Sequence, residues 1–203
     1  MLLFQLDLLS SRQNGNLQAL IERCKNTGSH LKPVALMTLF HSICLGLREF
    51  HERQPALAFR DLKPDNVLID SQGQGILADL GSVDLARVEI KDRKQALSLQ
   101  EHCAEHCTAP YRAPELFEVA SNAVLDERTD IWSLGCLLYA IAFLQCPFDG
   151  TATSAIGGRF EMPTKSVYRE ELRVIIRCLL QTDIKQRPFI TDVLELIKPM
   201  NWA

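Results

Sequence analysis

The chain has 203 residues, is 47% hydrophobic and carries a formal net charge of −3, with 22 basic and 25 acidic residues. This length and composition allow one sizeable core, and the absence of a basic block argues against nucleic acid as a partner. The seven cysteines are odd in number and scattered along the chain, which is typical of a reducing compartment and not of a disulfide framework.

Two apolar segments could be mistaken for membrane or targeting signals. The first, "MLLFQLDLL", has no basic residue before it and is interrupted by Asp7, so it does not resemble a signal peptide. The second, residues 131–144, is uncharged but falls short of the roughly 20 residues that span a bilayer. We therefore expect no transmembrane segment.

The predicted elements, in chain order, are mostly helical. Apolar spacing indicates a short helix around residues 17–24 and a longer one over 34–51, which begins after Pro33. The segment "NVLID-SQGQG-ILAD" predicts a β-hairpin because two β-rich runs flank a glycine-containing turn. Helices are expected over 95–107, 131–144, 172–180 and around 193–197, and the uncharged helix 131–144 should lie in the middle of the domain.

A polar cluster precedes the hairpin. In "FRDLKPDN", residues 59–66, Asp61, Lys63 and Asn66 stand within six positions. Alone they would be interpreted as a polar turn, since Asp and Asn are common there. Four further motifs follow in order: "DLG" at 79–81, "APE" at 113–115, "DIWSLG" at 130–135, and "QRP", which contains Arg187. Five motifs in fixed order indicate a catalytic assembly.

The motifs resemble those of protein kinases. The segments "RKQALSLQEHCAEHCTAPYRAPELF" and "LDERTDIWSLGCLLYA" are similar to the Numb-associated kinase family. The resemblance implies a mainly α fold with a small β-hairpin: a protein-kinase-like C-terminal lobe, with the β-rich N-lobe absent. It assigns residues 1–14 to a hinge-like start and 15–203 to the C-lobe, with the catalytic loop at 59–66 and the activation segment at 79–115.

The same resemblance implies a role for each site residue. Asp61 would orient the substrate hydroxyl, and Lys63 would contact the γ-phosphate of ATP. Asn66 and Asp79 would bind Mg²⁺ through hard oxygen atoms, while Leu68 would supply the apolar floor under adenine. Asp61, Lys63 and Asn66 are thus the catalytic candidates, ATP and Mg are the implied cofactors, and the implied partner is a protein substrate with a Ser or Thr acceptor.

Further residues are expected to support the site. Asp130 would hydrogen-bond backbone amides of the catalytic loop, and Glu115 and Arg187 would form a buried pair that anchors the activation segment. Two interpretations of Arg60 remain open: it binds a phosphate on the activation segment, or it is a hydrogen-bonded structural arginine.

For the first interpretation, Ser98 and Thr108 are the conceivable phosphate carriers. Lys63 and Thr108 also indicate serine/threonine rather than tyrosine substrates. Phe59 and Leu80 replace the family's usual His and Phe, and we expect these two apolar side chains to pack together.

The segment "HCAEHC", residues 102–107, suggests a zinc site at first sight, because tetrahedral sites use Cys and His. The two histidines lie on one helical face and the two cysteines on the adjoining face. Four ligands in six consecutive helical residues point over too wide an arc to converge on one ion, so we expect no zinc here.

Two hypotheses about function follow. In the first, the chain is the catalytic lobe of a serine/threonine kinase, folded but inactive by itself because no glycine-rich loop or strand lysine precedes the catalytic loop. In the second, it is a non-catalytic half-kinase that binds or scaffolds a partner. The expected location is cytoplasmic, or the surface of Golgi or perinuclear membranes by family resemblance. Since Leu2 follows Met1, we expect no myristoylation signal in this chain, and membrane association is expected only if a complete form carries an acylated N-terminus.

Overall fold

The computed structural model describes residues 5–6, 15–164 and 166–198. Within them the chain is mainly helical, as the sequence predicts. The helices are α1 (Leu17–Thr27), α2 (Pro33–His51), α3 (Arg93–His106), α4 (Arg128–Phe143), α5 (Ala152–Gly157), α6 (Glu170–Leu179) and α7 (Ile190–Ile197). None of the helices in this described part is long and apolar enough to cross a membrane.

The strands are short and pair two by two. They are β1 (Gln5–Leu6), β2 (His30–Leu31), β3 (Leu57–Ala58), β4 (Val67–Ile69), β5 (Gly75–Leu77), β6 (Asp84–Leu85), β7 (Val88–Glu89) and β8 (Val124–Leu125). The pair β1–β2 is parallel, whereas β3–β6, β4–β5 and β7–β8 are antiparallel. The strands β4 and β5 form the predicted hairpin.

Helix α4 lies at the centre of the domain. Its residues are buried without interruption from Thr129 to Ala142, as expected for a helix that is apolar on all sides. Gly135 allows helix α6 to approach closely, since a Cβ atom there would lie 2.8 Å from Leu180 Cδ2 and 2.9 Å from Leu179 Cβ. This buried central helix supports the loop 59–66, which is described below.

The β4–β5 hairpin packs on helix α2 and is shaped by its turn. Asp70 Oδ1 accepts hydrogen bonds from the backbone N–H groups of Gln72 and Gln74, at 2.8 and 2.9 Å. Gly73 has a φ of 80°, which favours glycine. At Gly75 a Cβ atom would lie 2.6 Å from Ile43 Cγ1 of helix α2, so the strand can approach the helix only without a side chain there.

The helices and hairpin predicted from apolar spacing are confirmed, with bounds that differ by a few residues. Helix α5 and the strand pairs outside the hairpin were not predicted, because they span only two to six residues. The hinge-like start at 1–14 lies outside the described residues, apart from the two residues of strand β1.

Candidate active site

The loop 59–66 is fixed by hydrogen bonds to Asp130, which lies in the first turn of helix α4. Asp130 Oδ2 accepts a hydrogen bond from Phe59 N at 2.6 Å, and Oδ1 accepts one from Arg60 N at 2.9 Å. This confirms the role predicted for Asp130. His51 Nε2 lies 3.0 Å from Oδ2, within hydrogen-bonding distance. Sequence spacing did not reveal His51, because it lies 79 residues from Asp130.

Arg60 is buried, and its side chain makes hydrogen bonds within the protein. Its φ is 70°, in the left-handed region, and its guanidinium donates to Leu85 O at 2.9 Å and to Thr129 Oγ1 at 3.4 Å. These contacts join the loop to strand β6 and helix α4. Of the two interpretations that the sequence left open, the geometry favours the structural arginine.

Asp61 and Lys63 meet at the centre of the candidate site. Lys63 Nζ lies 2.8 Å from Asp61 Oδ2. Thr108 reaches the same carboxylate from a distant part of the chain: its backbone N–H and its hydroxyl donate to Asp61 Oδ1 at 2.9 and 2.6 Å. Lys63 Nζ also donates to Thr108 Oγ1 at 2.8 Å. The three residues form a closed hydrogen-bonded triangle.

Opposing effects act on the Asp61 carboxyl group. Burial alone raises the pKa of Asp61, because it disfavours the charged form. The hydrogen bonds from Lys63 and Thr108 and the positive charge of Lys63 outweigh burial and lower the pKa below its ordinary value. Asp61 is therefore ionised at neutral pH and can accept a hydrogen bond or a proton.

Asn66 and Asp79 are brought together by the hairpin. Asn66 Nδ2 donates to Asp61 O and Asp61 Oδ2 at 2.9 and 3.0 Å, so the amide nitrogen is engaged and the amide oxygen is left for another contact. Ala78 N donates to Asn66 O at 2.9 Å, and this places Asp79 beside Asn66. Asp79 is exposed, has a φ of 59° and accepts one hydrogen bond from Gly81 N at 3.3 Å.

An apolar surface borders this polar group. Leu68 and Ile76 form a cross-strand pair on the outer side of the hairpin and are 46% and 52% exposed. The predicted contact between Leu80 and Phe59 is wrong. Leu80 is 56% exposed, on the short turn that follows Asp79, whereas Phe59 is fully buried and packs edge-on against Phe50 at 5.7 Å between ring centroids.

Comparison with known proteins identifies the family to which this arrangement belongs. The family model described as "Protein kinase domain" matches residues 5–196. The chain belongs to the protein kinase family. Serine/threonine-protein kinase 16 of Rattus norvegicus and that of Homo sapiens are each 38% identical to it over 199 residues. These matches cover 95% of this chain and 65% of each relative, so the chain spans about two thirds of their length.

A fungal relative gives a similar result. Serine/threonine-protein kinase ENV7 of Saccharomyces cerevisiae is 37% identical over 154 residues, which is 72% of this chain and 42% of the relative. The resemblance to protein kinases that the motifs predict is thereby confirmed.

The predicted contact between Glu115 and Arg187 is confirmed. Arg187 Nη1 and Nη2 each donate to one carboxylate oxygen of Glu115 at 2.7 Å, a bidentate pair. The Arg187 guanidinium also lies 5.2 Å from the centre of the Trp132 ring. Because Trp132 belongs to helix α4, the pair ties Glu115 to the same helix that supports the loop 59–66.

The segment "HCAEHC" forms the last turn of helix α3 and its cap. His102 and His106 are exposed with ring centroids 4.3 Å apart, while Cys103 and Cys107 are buried on the other side. Within the described residues no group of three or more His, Cys, Asp or Glu side chains is arranged to hold a metal ion.

Proposed function

We propose that the chain forms the catalytic lobe of a serine/threonine protein kinase, which transfers the γ-phosphate of ATP to a Ser or Thr hydroxyl of a protein substrate. The observation that carries the proposal is the triangle of Asp61, Lys63 and Thr108, in which an ionised carboxylate and an ammonium group lie side by side. Phosphoryl transfer requires little covalent chemistry from the protein. It requires positioning and neutralisation of charge.

Asp61 is suited to orient the attacking hydroxyl. Its carboxylate is ionised, and 11% of the side chain is accessible, which is enough for a hydroxyl to approach. A positioned base of this kind contributes roughly 10²–10⁴-fold in rate. Lys63 is suited to pair with the phosphoryl oxygens, because its ammonium group is within hydrogen-bonding distance of Asp61 and is held by Thr108.

Asn66 and Asp79 fit a magnesium ion. A carboxylate and an amide oxygen are hard donors, which Mg²⁺ prefers alongside phosphate oxygens and water. The bonds from Asn66 Nδ2 to Asp61 orient the amide, and the backbone bond from Ala78 fixes the approach of Asp79. When bound, the ion supplies charge neutralisation at the phosphates, and these two side chains would hold it.

The exposed apolar pair on the hairpin supports nucleotide binding. Leu68 and Ile76 are half exposed and lie on strand β4, which follows Asn66, and on strand β5, which precedes Asp79. Leu68 would contact the adenine ring from one side. In this proposal the hairpin would contact the nucleotide from one side, and alignment of ATP requires a second surface opposite.

The substrate class follows from the acceptor chemistry. Thr108 and Lys63 flank the proposed base, and the relatives that are 38% identical to this chain are named serine/threonine-protein kinases, which supports Ser or Thr as the acceptor. A Golgi or perinuclear location stays a prediction, since it depends on acylation.

The decisive experiment uses the chain fused to the N-lobe of serine/threonine-protein kinase 16. Incorporation of labelled γ-phosphate into a generic protein substrate is measured for the fusion, the same fusion with Asp61→Asn, and the unfused chain. We expect transfer by the fusion, a loss of at least about 10²-fold in the variant, and no transfer by the unfused chain.

Each contrary outcome has a distinct meaning. Near-unchanged turnover in Asp61→Asn removes Asp61 from the proposed role. Strong phosphorylation by the unfused chain contradicts the need for a second surface. A folded but inactive fusion supports the alternative, a non-catalytic module that binds a partner.

A further inference from the structure

A pair of thiols lies beside the active site at the end of helix α3. Cys103 and Cys107 are one helical turn apart and are 1% and 6% exposed, whereas His102, Glu105 and His106 on the same turn are exposed. The Cβ atoms of helical residues four apart are separated by about 5–6 Å, and a disulfide requires about 3.5–4.5 Å. A modest tightening of this turn would join the two sulfur atoms.

The end of the helix permits such a movement. Cys107 is the cap residue, with extended backbone angles of φ −113° and ψ 130°, and its N–H donates to Cys103 O at 3.0 Å. The side chain of Cys107 is therefore not held in the geometry of a helix interior. Arg112 Nη2 donates to Cys107 O at 2.6 Å and to Ala104 O at 3.3 Å, which holds the reduced turn in place.

The two thiols are chemically unequal. A hydrogen bond from the Cys107 thiol lowers the pKa of the Cys103 thiol, and this effect outweighs burial, with help from the charges of Arg60 and Arg112. The same hydrogen bond and burial raise the pKa of Cys107. Because the thiolate is the reactive form, this difference favours Cys103 as the attacking sulfur and Cys107 as the resolving one.

We propose that Cys103 and Cys107 form a reversible disulfide when the protein is exposed to a hydroperoxide, and that this bond draws Thr108 away from Asp61. The coupling is direct, because Thr108 follows Cys107 in the chain. Both hydrogen bonds from Thr108 to Asp61 Oδ1, at 2.9 and 2.6 Å, depend on the position of that one residue.

The chemistry balances with hydrogen peroxide as the oxidant. The Cys103 thiolate attacks one peroxide oxygen, the O–O bond breaks, and the departing hydroxide takes the proton lost by Cys103 to form water. The sulfur of Cys107 then attacks the resulting sulfenic acid, the S–O bond breaks, and the second hydroxide leaves as water with the proton of Cys107. Two thiols lose two electrons, and the peroxide is reduced to two water molecules.

The bond and its consequence for Thr108 do not depend on catalysis. Only the expected loss of activity rests on the proposed kinase function. The test therefore has two readouts that do not require turnover: peptide mapping by mass spectrometry and hydrogen exchange at the Thr108 amide.

In the test, the purified chain is treated with hydrogen peroxide and digested without reduction. We expect a Cys103–Cys107 cross-link that lacks two hydrogen atoms and disappears after reduction with a dithiol. We also expect the Thr108 amide to exchange about tenfold faster in the oxidised protein, because a hydrogen bond to a charged acceptor is lost. If the N-lobe fusion is active, oxidation should lower its activity, and reduction should restore it.

Control variants separate this pair from the other cysteines. Cys178→Ser, on helix α6, should leave the cross-link unchanged, while Cys103→Ser should abolish it and keep the Thr108 amide protected under peroxide. Cys146, whose thiol donates to Pro110 O at 3.2 Å, is a second cysteine that peroxide could oxidise. If the proposal is correct, Cys146→Ser leaves the exchange rate of the Thr108 amide in the oxidised protein unaltered.

Three outcomes would overturn the proposal. One is oxidation of Cys103 to a sulfinic acid without a cross-link. Another is a cross-link that involves Cys146 with none between Cys103 and Cys107. The third is a Cys103–Cys107 bond that leaves the Thr108 amide fully protected. Wild-type mapping decides between them even if a serine variant fails to fold.

Discussion

Asp130 holds Arg60 in a backbone conformation that arginine rarely adopts. The Asp130 carboxylate accepts the backbone N–H of Arg60 at 2.9 Å, and the φ of Arg60 is 70°. A non-glycine residue in the left-handed region is costly and persists only where neighbouring contacts fix it. The contact therefore fixes the backbone of the loop 59–66, and it sets Asp61, the next residue, in place.

Replacement of Asp130 by Ala should destabilise the chain strongly. The backbone N–H groups of Phe59 and Arg60 would lose a buried acceptor and His51 Nε2 would lose its partner, and each unsatisfied buried donor costs about 1–3 kcal/mol. We expect a loss of about 3–5 kcal/mol in the free energy of unfolding, measured by urea denaturation. As a control, Glu195→Ala, at a side chain that is 74% exposed, should change it by less than about 0.5 kcal/mol. Equal effects of the two substitutions would contradict the supporting role of Asp130.

Asp79→Ala should weaken nucleotide binding only when magnesium is present. The carboxylate is exposed, makes a single hydrogen bond and lies beside Asn66, so its contribution to the fold is small. Titration of the N-lobe fusion with ATP, with and without Mg²⁺, measures the effect. The control Asp92→Ala, which removes the N-cap of helix α3, should leave both affinities unchanged. An equal loss of affinity with and without magnesium would show that Asp79 is structural.

The sequence predicts those features of the site and the fold that depend on residues close together in the chain. Asp61, Lys63 and Asn66 lie within six residues of one another, and the spacing of apolar residues predicts helix α2. The contacts of His51 with Asp130 and of Thr108 with Asp61 could not be predicted in this way, because they join residues 79 and 47 positions apart in the chain. Although Thr108 was noted as a phosphorylation candidate, nothing local indicated that its hydroxyl would bind the carboxylate. The exposed position of Leu80 was missed because the family pattern, and not a property of this chain, suggested a buried contact.

Thr108→Val should shift the pH dependence of phosphoryl transfer. Loss of the hydroxyl removes one of the hydrogen bonds that lower the pKa of Asp61, so the pKa of Asp61 should rise. Because the ionised form is the active one, the acid limb of the kcat profile should move to higher pH. Thr108→Ser, which keeps the hydroxyl, should restore the profile. The measurement is kcat of the N-lobe fusion against pH, and coincident acid limbs for the Val and Ser variants would refute this link.

Glu115→Ala should cost far more stability than removal of an exposed acidic partner. The side chain of Arg187 is fully buried, and both of its terminal nitrogens bind Glu115 at 2.7 Å. Removal of the carboxylate leaves a buried positive charge without its partner, which costs about 3–5 kcal/mol.

The matched control is Glu170→Ala. Glu170 pairs with Arg177 at 3.0 Å, but these side chains are 61% and 50% exposed, and such pairs contribute only about 0–1 kcal/mol. Urea denaturation of both variants gives the comparison. The double variant Glu115→Ala with Arg187→Met should recover part of the loss, because it removes the unpaired charge and leaves an apolar side chain against Trp132. If the double variant is instead as unstable as the sum of the two single variants, charge burial is not the cause, and the remaining bonds of Arg187 to Gln181 O and Arg128 O must carry the stabilisation.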